Sequence, residues 1–193
     1  MVAFQLNFGV KEWDDAIAAI ATQDDRSTAI VTTSLLEDMI VTAIKSHFSQ
    51  SDVKIEGEFM KGYGPLASFR SRIDLGFFMG IYSKDCHDRL LRIKNIRSRM
   101  AHKIEIQTFE TQEIKDLLDF LPSANDLALC WENNPLAEND TGKIFQGVAD
   151  ELRGYPNNGK GRFLSYMQHR MMSTVTLKST QNDKSRRYFM KHL

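Results

Sequence analysis

The stretch "KDCHDRLLRIKNIRSRMAHK", residues 84 to 103, decides the fold. Leu90, Ile93, Ile96 and Met100 recur at spacings of three and four, so they line one side of a helix, with Arg97 at the edge of that stripe. Ser83 stands just ahead with a hydroxyl suited to an N-cap, and Asp85 sets a negative charge at the positive end of the helix dipole. With Leu91 added, much of the surface is apolar, which suits the central helix of a bundle better than a solvated one. Its last turns, "NIRSRMAHK", gather Arg97, Arg99, His102 and Lys103.

Working outward, the same period recurs on both sides. Ser68 caps "FRSRIDLGFFMG", where Phe69, Ile73, Phe77 and Gly80 fall a turn apart and Gly80 fits a helix end. Ahead of it "SQSDVKIEGEFMKGYGPLA", residues 49 to 67, is punctuated by Gly57, Gly62, Gly64 and Pro65. It reads as a polar connection that breaks any helix and holds a short extended segment. Residues 25 to 48, "DRSTAIVTTSLLEDMIVTAIKSHF", carry Leu35, Leu36, Met39, Ile40, Ala43 and Ile44 as a helical stripe, capped by Asp24 or Asp25. The β-branched run from Ile30 to Thr33 lowers propensity without breaking it. Residues 11 to 21 place Trp13, Ile17 and Ile20 on one face. Downstream, Thr111 heads "QEIKDLLDFL", which Pro122 closes. "SANDLALCW" and "KIFQGVADELR" read as short helices. "GYPNNGKG" is a breaker. A last helix from Arg162 to Leu177 sets Phe163, Leu164, Met167, Met171 and Val175 inward. No repeat and no alternating strand pattern is visible, so the chain is all-α, a single-domain multi-helix bundle over residues 1–180, with a basic tail at 181–193.

Lys+Arg and Asp+Glu both total 25 in 193 residues, giving zero net charge and a pI near 7.0. A protein that grips DNA by itself usually has a basic excess, because phosphate neutralisation supplies most of its affinity. The 42% hydrophobic content and twelve Phe suffice for a real core. Cys86 and Cys130 lack CxxC spacing and read as reduced thiols. The start has neither a basic region nor a sustained apolar run, and no apolar run of membrane length stands out, so the expected location is the cytoplasm.

The order of segments resembles the mannitol operon repressor family. "SLLEDMI", then "GYGPLASFRSRIDLGFFMGIYS", then "IRSRMAH", then "EIKDLL" carry the resemblance over residues 25 to 121, with a weaker echo in the last helix. Its most specific pieces are the junction "PLASFRSRIDL" and the ending formed by Ile96, Arg97, Ala101 and His102. Ser98 departs from the asparagine the pattern favours. Residues 123–160 exceed the family core and read as an insertion. The resemblance implies an all-helical cytoplasmic bacterial protein connected with repression of sugar-transport genes; it implies no sugar site and no DNA-reading element.

Three functional readings stand beside their plain structural counterparts. Arg97 and His102 match the Arg-x4-His spacing of dimeric HEPN-type ribonucleases, where His moves protons and Arg holds a phosphate; the plain reading is a basic helix end complementing the dipole. Residues 68 to 100 have helix-turn-helix proportions, with Lys84, His87, Asp88 and Arg92 placed to meet bases, against a core helix with a solvated basic face. Phe59, Met60, Tyr63 and Leu66 in the connection, and Tyr188, Phe189 and Met190 in the tail, suit either a partner surface or staples across helices. Arg70, Arg72, Arg92, Arg97, Arg99 and His102 are thus the candidates for nucleic-acid or partner contact. Arg70 and Arg72 with Asp74 also read as ordinary surface ion pairs. Glu37 and Asp38 are adjacent on a helix and make no catalytic pair. His47, His87, His102, His169 and His192 lack metal spacing, and no phosphate-binding or nucleophile motif occurs, so neither metal nor cofactor is expected. A protein partner, from the transcription or sugar-transport machinery, and a homodimer are the expected associations.

Overall fold

The computed structural model describes residues 10–48, 52–106, 108–133 and 142–179, which form nine helices and no strand among them. They are α1 (Val10–Ala21), α2 (Asp25–Lys45), α3 (Val53–Met60), α4 (Phe69–Phe78), α5 (Lys84–His102), α6 (Gln112–Leu118), α7 (Ala124–Glu132), α8 (Gly142–Arg153) and α9 (Gly159–Ser179). The all-α expectation holds. Helix α2 is the spine: α1, α4, α5 and α9 all pack against it, while α7 and α8 pair and lean on α9, and α6 joins α5 to α9. One core cluster runs through both halves, from Leu36, Ile73, Leu90 and Ile93 to Trp131, Leu152 and Phe163. Residues 123 to 153 therefore contribute Leu127, Trp131 and Leu152 to the same core as α2 and α5. Trp13, Val175, Tyr188, Phe189, Met190 and His192 lie outside the residues whose side chains are described.

The caps follow the local chemistry. Asp24, not Asp25, receives the Ser27 N–H at 2.9 Å, and the Thr28 hydroxyl donates to the Ile20 carbonyl at 3.1 Å, fixing the α1–α2 corner. Ser68 accepts from Ser71 N–H and Ser83 from Cys86 N–H. Between them the chain reverses through Gly80, whose φ of 68° is the left-handed conformation that glycine adopts at a helix end. Tyr82 then folds back and its hydroxyl donates to the Ile73 carbonyl at 2.6 Å. Gly76 makes room: a Cβ there would sit 2.5 Å from the Tyr82 oxygen.

Helix α2 is apolar enough over eighteen residues to resemble a membrane span by composition, contrary to the sequence expectation; half of that window is buried in the bundle, as for a core helix. Its buried Thr32 hydroxyl is satisfied by the Thr28 carbonyl one turn back, at 2.6 Å.

Two boundaries differ from the sequence reading. The connection at 49 to 67 is not extended between its glycines but contains α3. The Asp52 carboxylate accepts the N–H groups of Lys54 and Ile55 at 3.0 and 2.9 Å, nucleating a turn that Gly57 does not break. The last helix starts at Gly159 rather than Arg162, because the glycines at 159 and 161 belong to its first turn. A Cβ at Gly159 would meet Phe109 at 2.9 Å, and one at Gly161 the Pro156 carbonyl at 1.9 Å. Thr111 occupies the cap position of α6 without a side-chain bond, and α6 stops at Leu118.

Candidate functional site

The arginines and the histidine singled out in the sequence all lie on α4 and α5, and their surroundings decide what they can do. The Arg72 side chain, only 13% exposed, is not a surface pair. It binds Glu37 of α2, and its other nitrogens donate to the carbonyls of Leu66 at 2.8 Å and Met60 at 2.9 Å. Arg97 approaches the same carboxylate, Nη1 lying 3.9 Å from the second oxygen of Glu37. Glu37 thus sits between two guanidiniums at the junction of α2, α4 and α5. The Arg97 Nε is buried with no hydrogen-bond partner among the described residues.

One turn on, Arg99 bonds Glu113 of α6 at 2.7 Å and also donates to the Glu113 carbonyl. Lys103 bonds the same carboxylate at 2.8 Å. The bond from Lys103, with Arg99 close by, holds the Glu113 carboxyl below its ordinary pKa. The open carbonyls at the end of α5 are covered from outside the helix: Arg26 of α2 donates to the Met100 carbonyl and, at 3.0 Å, to that of Lys103. The basic ending of α5 is therefore a three-helix latch. His102 and Lys103 are exposed, Lys103 tied to Glu113. Five positions separate it from Arg97, about 140° around the helix, so one chain does not turn the two side chains to a common face.

The start of α5 is equally occupied. His87 lies between two carboxylates, Nε2 at 2.8 Å from Asp74 of α4 and Nδ1 at 3.1 Å from Asp88, with its ring beside Phe77. Arg70 bonds Asp74 at 2.9 Å and Lys84 bonds Asp88. Burial works to raise the Asp74 carboxyl, but the bonds from His87 and Arg70 outweigh it and hold the group below its ordinary value. Lys84, then His87, does the same for Asp88. Arg92 stacks its guanidinium over Phe120, 3.3 Å from the ring centre. Between Cys86 and Met100 only Asp88 is exposed. A recognition helix needs one free face along its length; α5 has none.

Among the described residues no three His, Cys, Asp or Glu side chains gather as a metal set. His169, buried, accepts the Trp131 indole N–H through Nδ1 at 3.0 Å, so its ring is neutral. Burial, with Arg170 and Arg89 nearby, lowers its pKa to about 3. Burial raises the Cys86 and Cys130 thiols, so neither is poised as a nucleophile. The apolar set in the 49–67 connection divides: Met60 and Leu66 are buried, Phe59 is 42% exposed and Tyr63 fully so. Phe78, Ile104 and Phe120 are also exposed.

Sequence reasoning missed Glu37, Glu113 and Phe120 as partners of the arginines, and Arg26 as the cover of the α5 end. They stand 14 to 77 residues from those arginines and that end, and no local period points to them. No family model, no curated protein and no solved structure matches this chain.

Proposed function

We propose that this chain is a cytoplasmic, transcription-linked regulator that acts by contacting protein partners rather than by reading bases or cutting RNA. One observation carries the reading: Arg70, Arg72, Arg92, Arg97 and Arg99 all face a carboxylate, carbonyl or ring within the molecule. Phosphate binding draws on basic groups free to replace counterions; the chain has zero net charge, and these five arginines already have partners within the molecule. Apolar side chains are what the surface offers instead, with Phe78, Ile104 and Phe120 exposed at or just beyond the ends of α4, α5 and α6. The resemblance to the mannitol operon repressor family supports the regulatory setting and the transcription or sugar-transport machinery as the source of the partner.

The test has two arms. Fluorescence anisotropy with duplexes from sugar-transport promoters should show only weak binding that disappears with salt and ignores sequence. In a reporter strain, Phe78→Glu or Phe120→Glu should relieve regulation while the purified proteins keep their circular dichroism. Tight binding to a single operator, with other sequences ignored, overturns the reading.

A further inference from the structure

Helix α3 differs from every other helix of the bundle. Among the described residues it lies along no other helix. It is held by Met60, by the Lys45–Glu56 ion pair at 2.7 Å and by the bond from Arg72 to the Met60 carbonyl. Eight residues with a glycine inside are too few for a helix to be stable in water without packing. Yet its apolar side chains are turned out: Val53 is 78% and Ile55 66% exposed, and Phe59 follows Ile55 one turn later.

The charges around that apolar pair select an occupant. Exposed Asp52 and Lys61 stand at opposite ends of α3, and exposed Lys54 and Glu58 lie between them on the outward face. Glu56 and Met60 point the other way, into the molecule. Lys54 and Glu58 bring one charge of each sign, so the face carries no excess to attract a strongly charged partner. Turned end for end, the pattern becomes its own complement. Laid antiparallel on a second α3, it sets Lys54 beside Glu58 of the other copy, Glu58 beside the other Lys54, and Ile55 beside Phe59. A two-fold contact requires this self-complementarity.

We propose that α3 is a homodimer interface, two copies pairing antiparallel through Ile55 and Phe59 with Lys54 and Glu58 as a two-fold ion-pair rim. The contact is small, so the dimer is weak and concentration-dependent. It stands independently of the regulatory reading: a dimer through α3 serves a chain of any activity, and it is measured with the purified protein alone.

Sedimentation velocity across micromolar to millimolar concentrations should show a reversible monomer–dimer equilibrium. Ile55→Glu should leave a monomer throughout. The decisive arm uses charge reversal at Lys54 and Glu58, whose exposed side chains cap nothing. Lys54→Glu and Glu58→Lys proteins should each dimerise about tenfold more weakly than wild type. Mixed, they should associate with each other, because two cations of one meet two carboxylates of the other. A monomer at every concentration overturns the proposal. So does a dimer indifferent to Ile55→Glu, or reversed proteins that fail to recover on mixing.

Discussion

Helices α5 and α3 begin alike, each with a polar side chain capping its first turn, and end in opposite conditions. Helix α5 packs on three neighbours, buries Leu90, Ile93, Ile96 and Met100 completely, and ties its cations to Glu37, Glu113, Asp88 and the Phe120 ring. Helix α3 buries Met60 alone among its residues and shows Val53, Ile55 and Phe59 to solvent. The more strongly basic helix is thus the less available for binding. A run of arginines is a binding surface only when nothing inside the molecule has claimed it, and here a single glutamate on α2 takes up two of them. Function is better sought where apolar groups lack partners than where charges are dense.

The largest effect expected from breaking this arrangement comes from Arg72→Ala. It removes the arginine that bridges α2, α4 and the end of α3, and leaves the Glu37 carboxylate, 16% exposed, with Arg97 alone. Loss of about 3 kcal/mol is expected, which lowers the melting temperature by about 9 °C for a chain of this size. A change within a degree would show that the junction is held by its apolar residues only.

Next is the pH response set by His169. Its folded pKa lies near 3, below the unfolded value of 6.5, so the unfolded chain takes up a proton that the folded chain refuses. The contribution is fully present above pH 6.5 and declines as pH falls from there toward 3, by about 1.4 kcal/mol per unit within that window. His169→Gln retains an acceptor for the Trp131 N–H and should flatten urea-measured stability between pH 6.5 and 5. Wild-type stability that does not change over that range would mean the ring is protonated inside the fold. The lowered Asp74 and Asp88 act further down: their contribution is present above 3.8 and is lost as pH falls through their lower folded values.

The helix content and the inward faces of α2, α4 and α5 were legible because a 3.6-residue period is local, and so were the caps Ser68 and Ser83. Helix α3 was not: its four apolar residues do not share one buried face, so it shows no amphipathic stripe, and Gly57 inside it looks like a break. The candidate site was half legible. Arg70, Arg92, Arg97 and Arg99 could be named from the sequence, but their availability depends on Glu37, Glu113 and Phe120, which only the packing of α2 and α6 brings near. Arg72 reads as a surface residue because nothing in "FRSRIDL" reveals that the carbonyls of Met60 and Leu66 turn toward it.

A paired loss of caps sharpens the contrast between the two helices. Ser83→Ala removes the acceptor for Cys86 N–H at the start of the central helix and should cost about 1 kcal/mol of global stability. Asp52→Ala removes a carboxylate that accepts two N–H groups, yet α3 is docked on no other helix, so its opening is local. Hydrogen exchange should quicken in residues 53 to 60 while the melting temperature of dilute protein stays in place. Equal global losses from both would mean that α3 belongs to the cooperative core.

The smallest effect expected is the most informative about chemistry. His102→Ala should change neither stability nor any background RNA cleavage, since the ring is exposed at the end of α5 and points about 140° away from Arg97 around the helix. The comparison to make is with Arg97→Ala, which loosens Glu37 and should lower stability measurably. A nuclease would respond in the opposite order of interest: both substitutions would abolish cleavage, and His102→Ala would do so with the fold intact. Cleavage lost in that way would mean that a second copy completes the site, bringing its own His102 to the Arg97 that a single chain keeps apart from it.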